Sequence, residues 1–579
     1  MDNMPSRIPD TICGIRKHGA GGDGSARGSA FRIPYSVLAL LLTGCMGKSL
    51  KPDPTLDATV REASAAVQSR ASRIAPPAPA GKPASRGEVR LSLQDSLRAA
   101  MLGNHDIQLA GYTPRIAQED IVRAEAVFDP TAFFANTFGR TKRPIQSVLD
   151  TGAVGDTSYI EDSWAFQGGL RQPLIIGGVV SVYEQMNWLA TNSDLTIPNP
   201  QFTGSLNVEV SQPLLRGFGA RVNRATIRVA DVSARISRET FRTKVMDVAA
   251  DVTRNYWQLA HDLDVVRVSR QSLDQAREVL RREGVRLAQG LSKEVDVDRA
   301  RAAVAIREVE VVRSENQVRS TLDRLKLVLN SPDLPLGEEA RVVQTAALHY
   351  YEVPVDRSEA VAKALARRPD LEAARLAVAG NRLRLDVAEH ETLPRLDAVL
   401  RGSLPGLGTS WGDSFGQQWF SGKYTWSAGV EFEMPVGNRT AKADERKRRL
   451  EYEQSLMEAE QLVAQAVFEV NEAVRGVLVA HDEVDATTRA QDAAERAMKG
   501  ELARFELGET TNHDLLIAQD NLATAQRDHL RALLAFNTAV TDLARAQGMI
   551  LEEAGIEIVE PEPAPPGRLE PVRARVRPR

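Results

Sequence analysis

The sequence predicts a mixed α+β fold in which alternating strands open into very long antiparallel helical hairpins, the whole arrangement occurring twice. Three observations carry this. A gapless offset of 264 residues aligns Asp106 with Asp370 and Pro130 with Pro394, as an internal duplication would. Runs of period two precede a turn containing proline and glycine in both halves. Each turn leads into a charged, alanine-rich run of 67 residues, 222–288 and 440–506. At roughly 1.5 Å per residue an unbroken helix of that length reaches about 100 Å. Aromatic residues make up only 5% of the chain and charged residues 26%, which suits long wet helices better than deep cores.

In the first half, Ser92 or Asp95 can cap a helix carrying Leu97, Ala100 and Met101; its counterpart opens at Asp356 or Ser358 and carries Val361, Ala364 and Leu365. Pro130 and Pro394 mark the change from helix to extended chain. Strand patterns follow at 132–138, around Trp164, Phe166 and Leu170, and at Phe202, Leu206, Val208 and Val210 alternating with Ser205, Asn207, Glu209 and Ser211. The second half answers with Tyr424, Trp426, Ala428, Val430 and Phe432 alternating with Thr425, Ser427, Gly429 and Glu431. One apolar and one polar face suit a sheet wall, either of a soluble sandwich or of a transmembrane structure. The strands stop at turns holding Pro213, Gly217 and Gly219, and Pro435 and Gly437.

The two long runs end in related turns. An offset of 218 pairs Arg286 with Arg504, Gly290 with Gly508 and Asp296 with Asp514. Glycine supplies the helix stop, while Ser292 and Thr511 or Asn512 can cap the returning helices, 292–329 and 512–547. The repeats are therefore bounded at 88–349 and 350–550, and the Pro- and Arg-rich tail 551–579 is expected to be disordered.

At the N-terminus, Arg27 and Arg32 precede an apolar stretch, 37–42, and then Leu42-Thr43-Gly44-Cys45. This resembles a bacterial lipoprotein signal over 1–44, with Cys45 the lipid-bearing first residue of the mature chain. Met46, in place of an aspartate, points to outer-membrane sorting, and 45–87 is expected to be a flexible linker. A net charge of -4 without basic–aromatic interleaving speaks against nucleic acid as a partner. The histidines have no metal-ligand spacing, and Gly217 and Gly219 lack a phosphate-loop Lys-Ser pair, so no enzyme, metal or cofactor is expected.

From about Leu91 to Met549 the residues resemble the outer-membrane efflux protein family, the TolC-like factors. The likeness rests on the paired openings, Gln212-Pro213-Leu214-Leu215-Arg216-Gly217-Phe218-Gly219, the tip turns, and the closing stretch 543–548. It implies a homotrimer in which each chain gives four strands to one 12-stranded β-barrel, continuous with a coiled-coil helical tunnel. It also implies a passive exit duct in outer-membrane lipid, docked to a periplasmic membrane-fusion adaptor and an inner-membrane transporter. On the same resemblance Asp514, Asp296 and Phe505 are expected at the periplasmic aperture, and Gly290, Gly508, Arg286 and Arg504 at the adaptor-docking tips. Ile517 stands where some members carry a second aperture carboxylate. Segment 171–200 exceeds the family's simplest pattern and is expected to be an enlarged outer loop or strands extending beyond the barrel. The alternative is a nonconducting coiled-coil lipoprotein scaffold bridging envelope layers.

Overall fold

The computed structural model describes residues 63–66, 89–152, 157–331, 334–336, 342–344, 347–559 and 573–576. The chain divides into the units Met1–Arg73 and Ile74–Arg579. Among the described residues the first contributes one helical turn, 63–66. The signal segment, Cys45 and nearly all of the linker lie outside the described residues.

β1 (Val89–Leu91) leads into α1 (Leu93–Gly103), where Ser92 accepts a hydrogen bond from the Asp95 amide and caps the helix. Asn104 ends α1 and, accepting from the Ile107 amide, caps α2 (His105–Glu125). The chain then forms β2 (Thr131–Pro144), β3 (Ser158–Pro173), β4 (Val179–Thr191) and β5 (Gln201–Pro213). The first long hairpin is α3 (Ala225–Ala288) and α4 (Glu294–Leu329). β6 (Val342–Gln344) returns to pair in parallel with β1. The second set comprises α5 (Arg357–Arg367), α6 (Pro369–Glu391), β7 (Arg395–Gly408), α7 (Trp411–Phe420), β8 (Thr425–Glu433), α8 (Arg439–Leu507) and α9 (Asn512–Ala546). The 264 offset carries the bounds of α1 onto α5 and of β2 onto β7 residue for residue.

α3 begins at Ala225 rather than 222 because a separate helical turn, Ala220–Asn223, precedes it. There the Asn223 amide donates to the Gly217 and Gly219 carbonyls at 2.8 and 2.9 Å and holds the turn open. Each hairpin buries its apolar stripe against its own short opening helix. Phe241, Val245, Leu259, Leu325 and Leu329 pack with Leu97, Ala100 and Met101 of α1. Val470, Val474, Val477 and Phe536 pack with Ala360 and Ala364 of α5. Each fully buried Leu, Val or Phe stabilises the clasp by about 1.5–3 kcal/mol before entropy costs.

One antiparallel sheet takes the order β2-β3-β4-β5-β7-β8. Its six strands replace the four expected per chain. Segment 171–200 is neither an outer loop nor an extension beyond the wall: β4 lies inside the sheet, paired with β3 on one side and β5 on the other. The β3–β4 turn reverses beside the long helices, where Gly177 has φ 95° and the Gly219 amide donates to the Ile176 carbonyl at 3.0 Å.

The tail also departs from expectation. β9 (Ile556–Val559) pairs with β10 (Arg573–Val576), and Ala574 and Val576 are buried in the core that contains α1. Their alternation with Arg573 and Arg575 is a short period-two signal inside a composition that otherwise reads as unstructured.

Candidate functional site

Two regions carry functional geometry, the tip of the hairpins and the sheet. At the tip, α3 and α8 stop in the same way. Gly290 and Gly508 adopt φ 76° and 80°, the Leu291 amide bonds the Arg286 carbonyl at 2.8 Å, and the Glu509 amide bonds the Arg504 carbonyl at 2.9 Å. The 218 offset extends to side chains that the sequence reading missed. Glu283, only 3% exposed, accepts from the Ser292 hydroxyl at 2.5 Å and pairs with Arg286 at 3.5 Å. Glu501 accepts from the Thr510 hydroxyl and pairs with Arg504 at 3.4 Å. Each turn is thus tied back to its own helix by a glutamate one turn above the arginine.

The two tips interlock within one chain. The Asn512 side-chain amide donates to the Asp296 carbonyl at 2.9 Å, and Arg282 reaches Glu506 at 3.2 Å. Phe505 is buried in this seam with Val279, Ala300 and Leu515, and the Arg286 guanidinium lies 5.1 Å from its ring centre. Phe505 therefore packs one hairpin against the other. Hydrogen bonds from Arg281 and Arg282 hold the Glu278 carboxyl down to about 2, so this stretch of α3 carries paired charges at neutral pH.

Asp514 closes a capping box. Its carboxylate accepts from the Thr511 hydroxyl at 2.6 Å, the Thr511 amide at 3.3 Å and the Thr510 hydroxyl at 3.1 Å, while its own amide donates to Thr511. The Thr511 hydroxyl first, then its amide, keep this carboxyl below the ordinary aspartate range. Asp296 sits in the first turn of α4 and pairs with Arg299 at 3.4 Å. Pro213 closes β5, and Gly217, Gly219 and Gly437 turn the chain toward the helices with φ 79°, 98° and 86°. Pro435 accepts the Asn438 amide at 3.1 Å, which tightens the equivalent turn before α8.

The ladder register sorts the sheet into two unlike faces. One carries Phe134 and Phe138 of β2, Trp164, Phe166 and Leu170 of β3, Val182 and Trp188 of β4, Phe202, Leu206, Val208 and Val210 of β5, Leu400 and Leu404 of β7, and Trp426, Val430 and Phe432 of β8. The opposite face carries Gln167, Asn187, Ser205 and Asn207 and a lattice of charges. Arg401 pairs with Glu209 at 3.0 Å and with Glu431 at 3.7 Å, and Arg395 pairs with Asp397 at 2.7 Å and Glu433 at 3.6 Å. On β5 the apolar register runs from Phe202 to Val210, about nine residues, the length at which a tilted strand crosses a bilayer.

The model of the outer membrane efflux protein family matches residues 180–331 and 360–549, more than half of the chain. The chain belongs to this family. Among solved structures, the CmeC outer membrane channel of Campylobacter jejuni is similar with a TM-score of 0.58 at 16% identity, over 79% of this chain and 85% of that one. The open-state MtrE outer membrane channel of Neisseria gonorrhoeae is similar with a TM-score of 0.56 at 18% identity, over 82% and 96%. VceC of Vibrio cholerae scores 0.56 at 16% identity, over 79% and 96%. No curated protein matches the chain by sequence. As an outer membrane efflux protein, the chain is homologous to the outer-membrane channels of tripartite efflux systems. The family match begins at 180, one residue into β4, and leaves β2 and all of β3 outside it.

Proposed function

We propose that this efflux protein is a passive outer-membrane exit duct, working as an acylated homotrimer docked to a periplasmic adaptor and an inner-membrane transporter. The observation that carries the reading is the two-faced sheet. An apolar register long enough to cross a bilayer on one side and a charged, hydrogen-bonding register on the other are what a barrel wall between lipid and water requires. Among the described residues, both edges of the sheet, β2 and β8, are without a neighbour. Open edges are not tolerated in lipid, so β2 of one copy pairs with β8 of the next. Three copies of a duplicated chain close 18 strands instead of 12, a barrel about 1.5 times as wide because diameter grows linearly with strand number.

Three-fold closure brings three copies of the tip together. The charged Asp514 carboxylates, with Asp296 beside them, then line the periplasmic aperture, and Gly290, Gly508, Arg286 and Arg504 form the surface that meets the adaptor. Cys45 carries the lipid. A nonconducting scaffold has no use for a charged sheet face, which favours the duct.

Single-channel conductance of the detergent-extracted oligomer in a planar bilayer tests this, comparing wild type with Asp514→Ala across divalent-ion concentration. Discrete channels whose divalent block weakens in the variant support the duct and its carboxylate ring. Failure of an intact oligomer to insert overturns the duct in favour of the scaffold.

A further inference from the structure

Resting on the membrane reading above, we infer that α7 is a membrane-interface helix, seated on glycines on the lipid-facing side of the wall and presenting its aromatic stripe to outer-leaflet lipid. α7 joins β7 to β8 at the end of the sheet remote from the long helices, yet it does not project away. It folds back onto the apolar face of β5 and β7. Gly204, Gly406 and Gly408 lie beneath it on that face. A Cβ at Gly406 would fall 1.9 Å from the Ser414 carbonyl oxygen, one at Gly408 2.6 Å from the Asp413 Cβ, and one at Gly204 2.4 Å from the Gln418 amide nitrogen. No side chain fits under the helix at Gly406 or Gly408.

The contact is also polar where lipid would not permit polar groups. The Ser414 hydroxyl accepts from the Gly204 amide at 2.7 Å and donates to the Gly406 carbonyl at 3.1 Å. Glu184 stands in the apolar register of β4, opposite Gly168 and Leu206. A carboxyl facing acyl chains is costly, and α7 covers it: the Gln418 amide donates to Glu184 at 2.7 Å, and Ser414 and Gln418 are 0% and 2% exposed.

The other side of the helix has the opposite character. Trp411, Phe415 and Trp419 recur at i, i+4 and i+8 and are 52%, 38% and 55% exposed, with Phe420 at 91%. The Trp411 and Phe415 rings stack at 5.4 Å. The stripe continues the girdle of Phe138, Trp164, Trp188 and Phe202 at the same end of the apolar register, the level at which aromatic belts meet headgroups. A neighbouring copy is not the occupant, because α7 lies over β5 and β7 and reaches inward to β4, away from the free edge of β8.

The full-length protein is tested in vesicles of brominated phosphatidylcholine, with a bimane label on Phe415→Cys, on Val430→Cys in the lipid-facing wall, and on Asn207→Cys in the polar face. The expected result is about a two-fold loss of emission to brominated lipid at 415 and 430, with iodide quenching only 207. Adding Gly406→Leu to Phe415→Cys is expected to unseat the helix and lower lipid quenching at 415. If that variant does not assemble, the three labels in the parent background decide alone. Lipid quenching at 430 with iodide quenching at 415 overturns the interface helix while the channel stands. Iodide quenching at both overturns the membrane reading and the helix with it.

Discussion

Phe505 concentrates the tip's stability in one ring. It fills the seam between the two hairpins under Arg286, so Phe505→Ala is expected to destabilise the tip by about 3–5 kcal/mol. Faster amide exchange across 500–515, with the sheet unchanged, would register this; unchanged exchange would mean that the seam is held by the Asn512 and Arg282 links instead. Asp514 gives a pH prediction. Its carboxyl lies below the ordinary aspartate value when folded, so its contribution to the cap is complete above that value and is lost as pH falls through the folded one. The capped turn is therefore expected to hold constant from neutral pH down to about 4 and to fail only below it. Exchange at 511–515 followed against pH checks this. Thr511→Ala, which removes the hydroxyl half of the box, is expected to cost about 1 kcal/mol at neutral pH. Arg368 is a different case. Burial acts to lower its pKa, but the hydrogen bonds it donates to Asp370 and Glu469 at 2.6 and 2.7 Å outweigh that and leave the value raised. With its side chain only 9% exposed, Arg368→Ala strands two carboxylates between α6 and α8 and is expected to cost about 3 kcal/mol, read by thermal unfolding.

At the scale of elements, legibility followed periodicity. The long helices and their glycine stops were readable because a 3.6-residue pattern sustained over tens of residues leaves little choice of period; of the caps, Thr511 closes α9 as expected, whereas Ser292 donates to Glu283 and Lys293 stands at the start of α4 without a side-chain cap bond. The 264 offset placed α5 once α1 was placed, and it carried Pro130 onto Pro394 as the start of extended chain without naming the strand β7 that follows. β4 was not readable as part of the wall. Glu184 interrupts its apolar register, and the residue that excuses Glu184, Gln418, is 234 positions away. β7 was weak for a related reason: Gly402, Gly406 and Gly408 occupy positions where a wall strand would carry large side chains, and two of the three are there for α7. The clasps at Glu283 and Glu501 were in plain view at the 218 offset, but isolated glutamates on a charged helix carry no period of their own. Composition misled at the tail, where two small apolar residues among arginines sufficed to dock a strand.

At the scale of the whole molecule, the strand count is the quantity to test. Removing 158–191 deletes β3 and β4 and leaves β2 running up and β5 running down, still able to pair. The shortened protein is expected to assemble with 12 strands and a barrel about two-thirds as wide, since width scales with strand number. End-on electron micrographs of the two proteins measure this directly. Equal widths would show that β3 and β4 do not enter the closed wall.

The tight turn between β3 and β4 leaves its mark on how such an object can change over time. β3 departs from and β4 returns to the end of the sheet remote from the long helices, so the pair adds two strands without reversing the direction of β5, and its turn meets the exit into α3, where the Gly219 amide donates to the Ile176 carbonyl. On the trimeric duct proposed above, an in-frame gain of one such hairpin widens the mouth by the same amount in every copy.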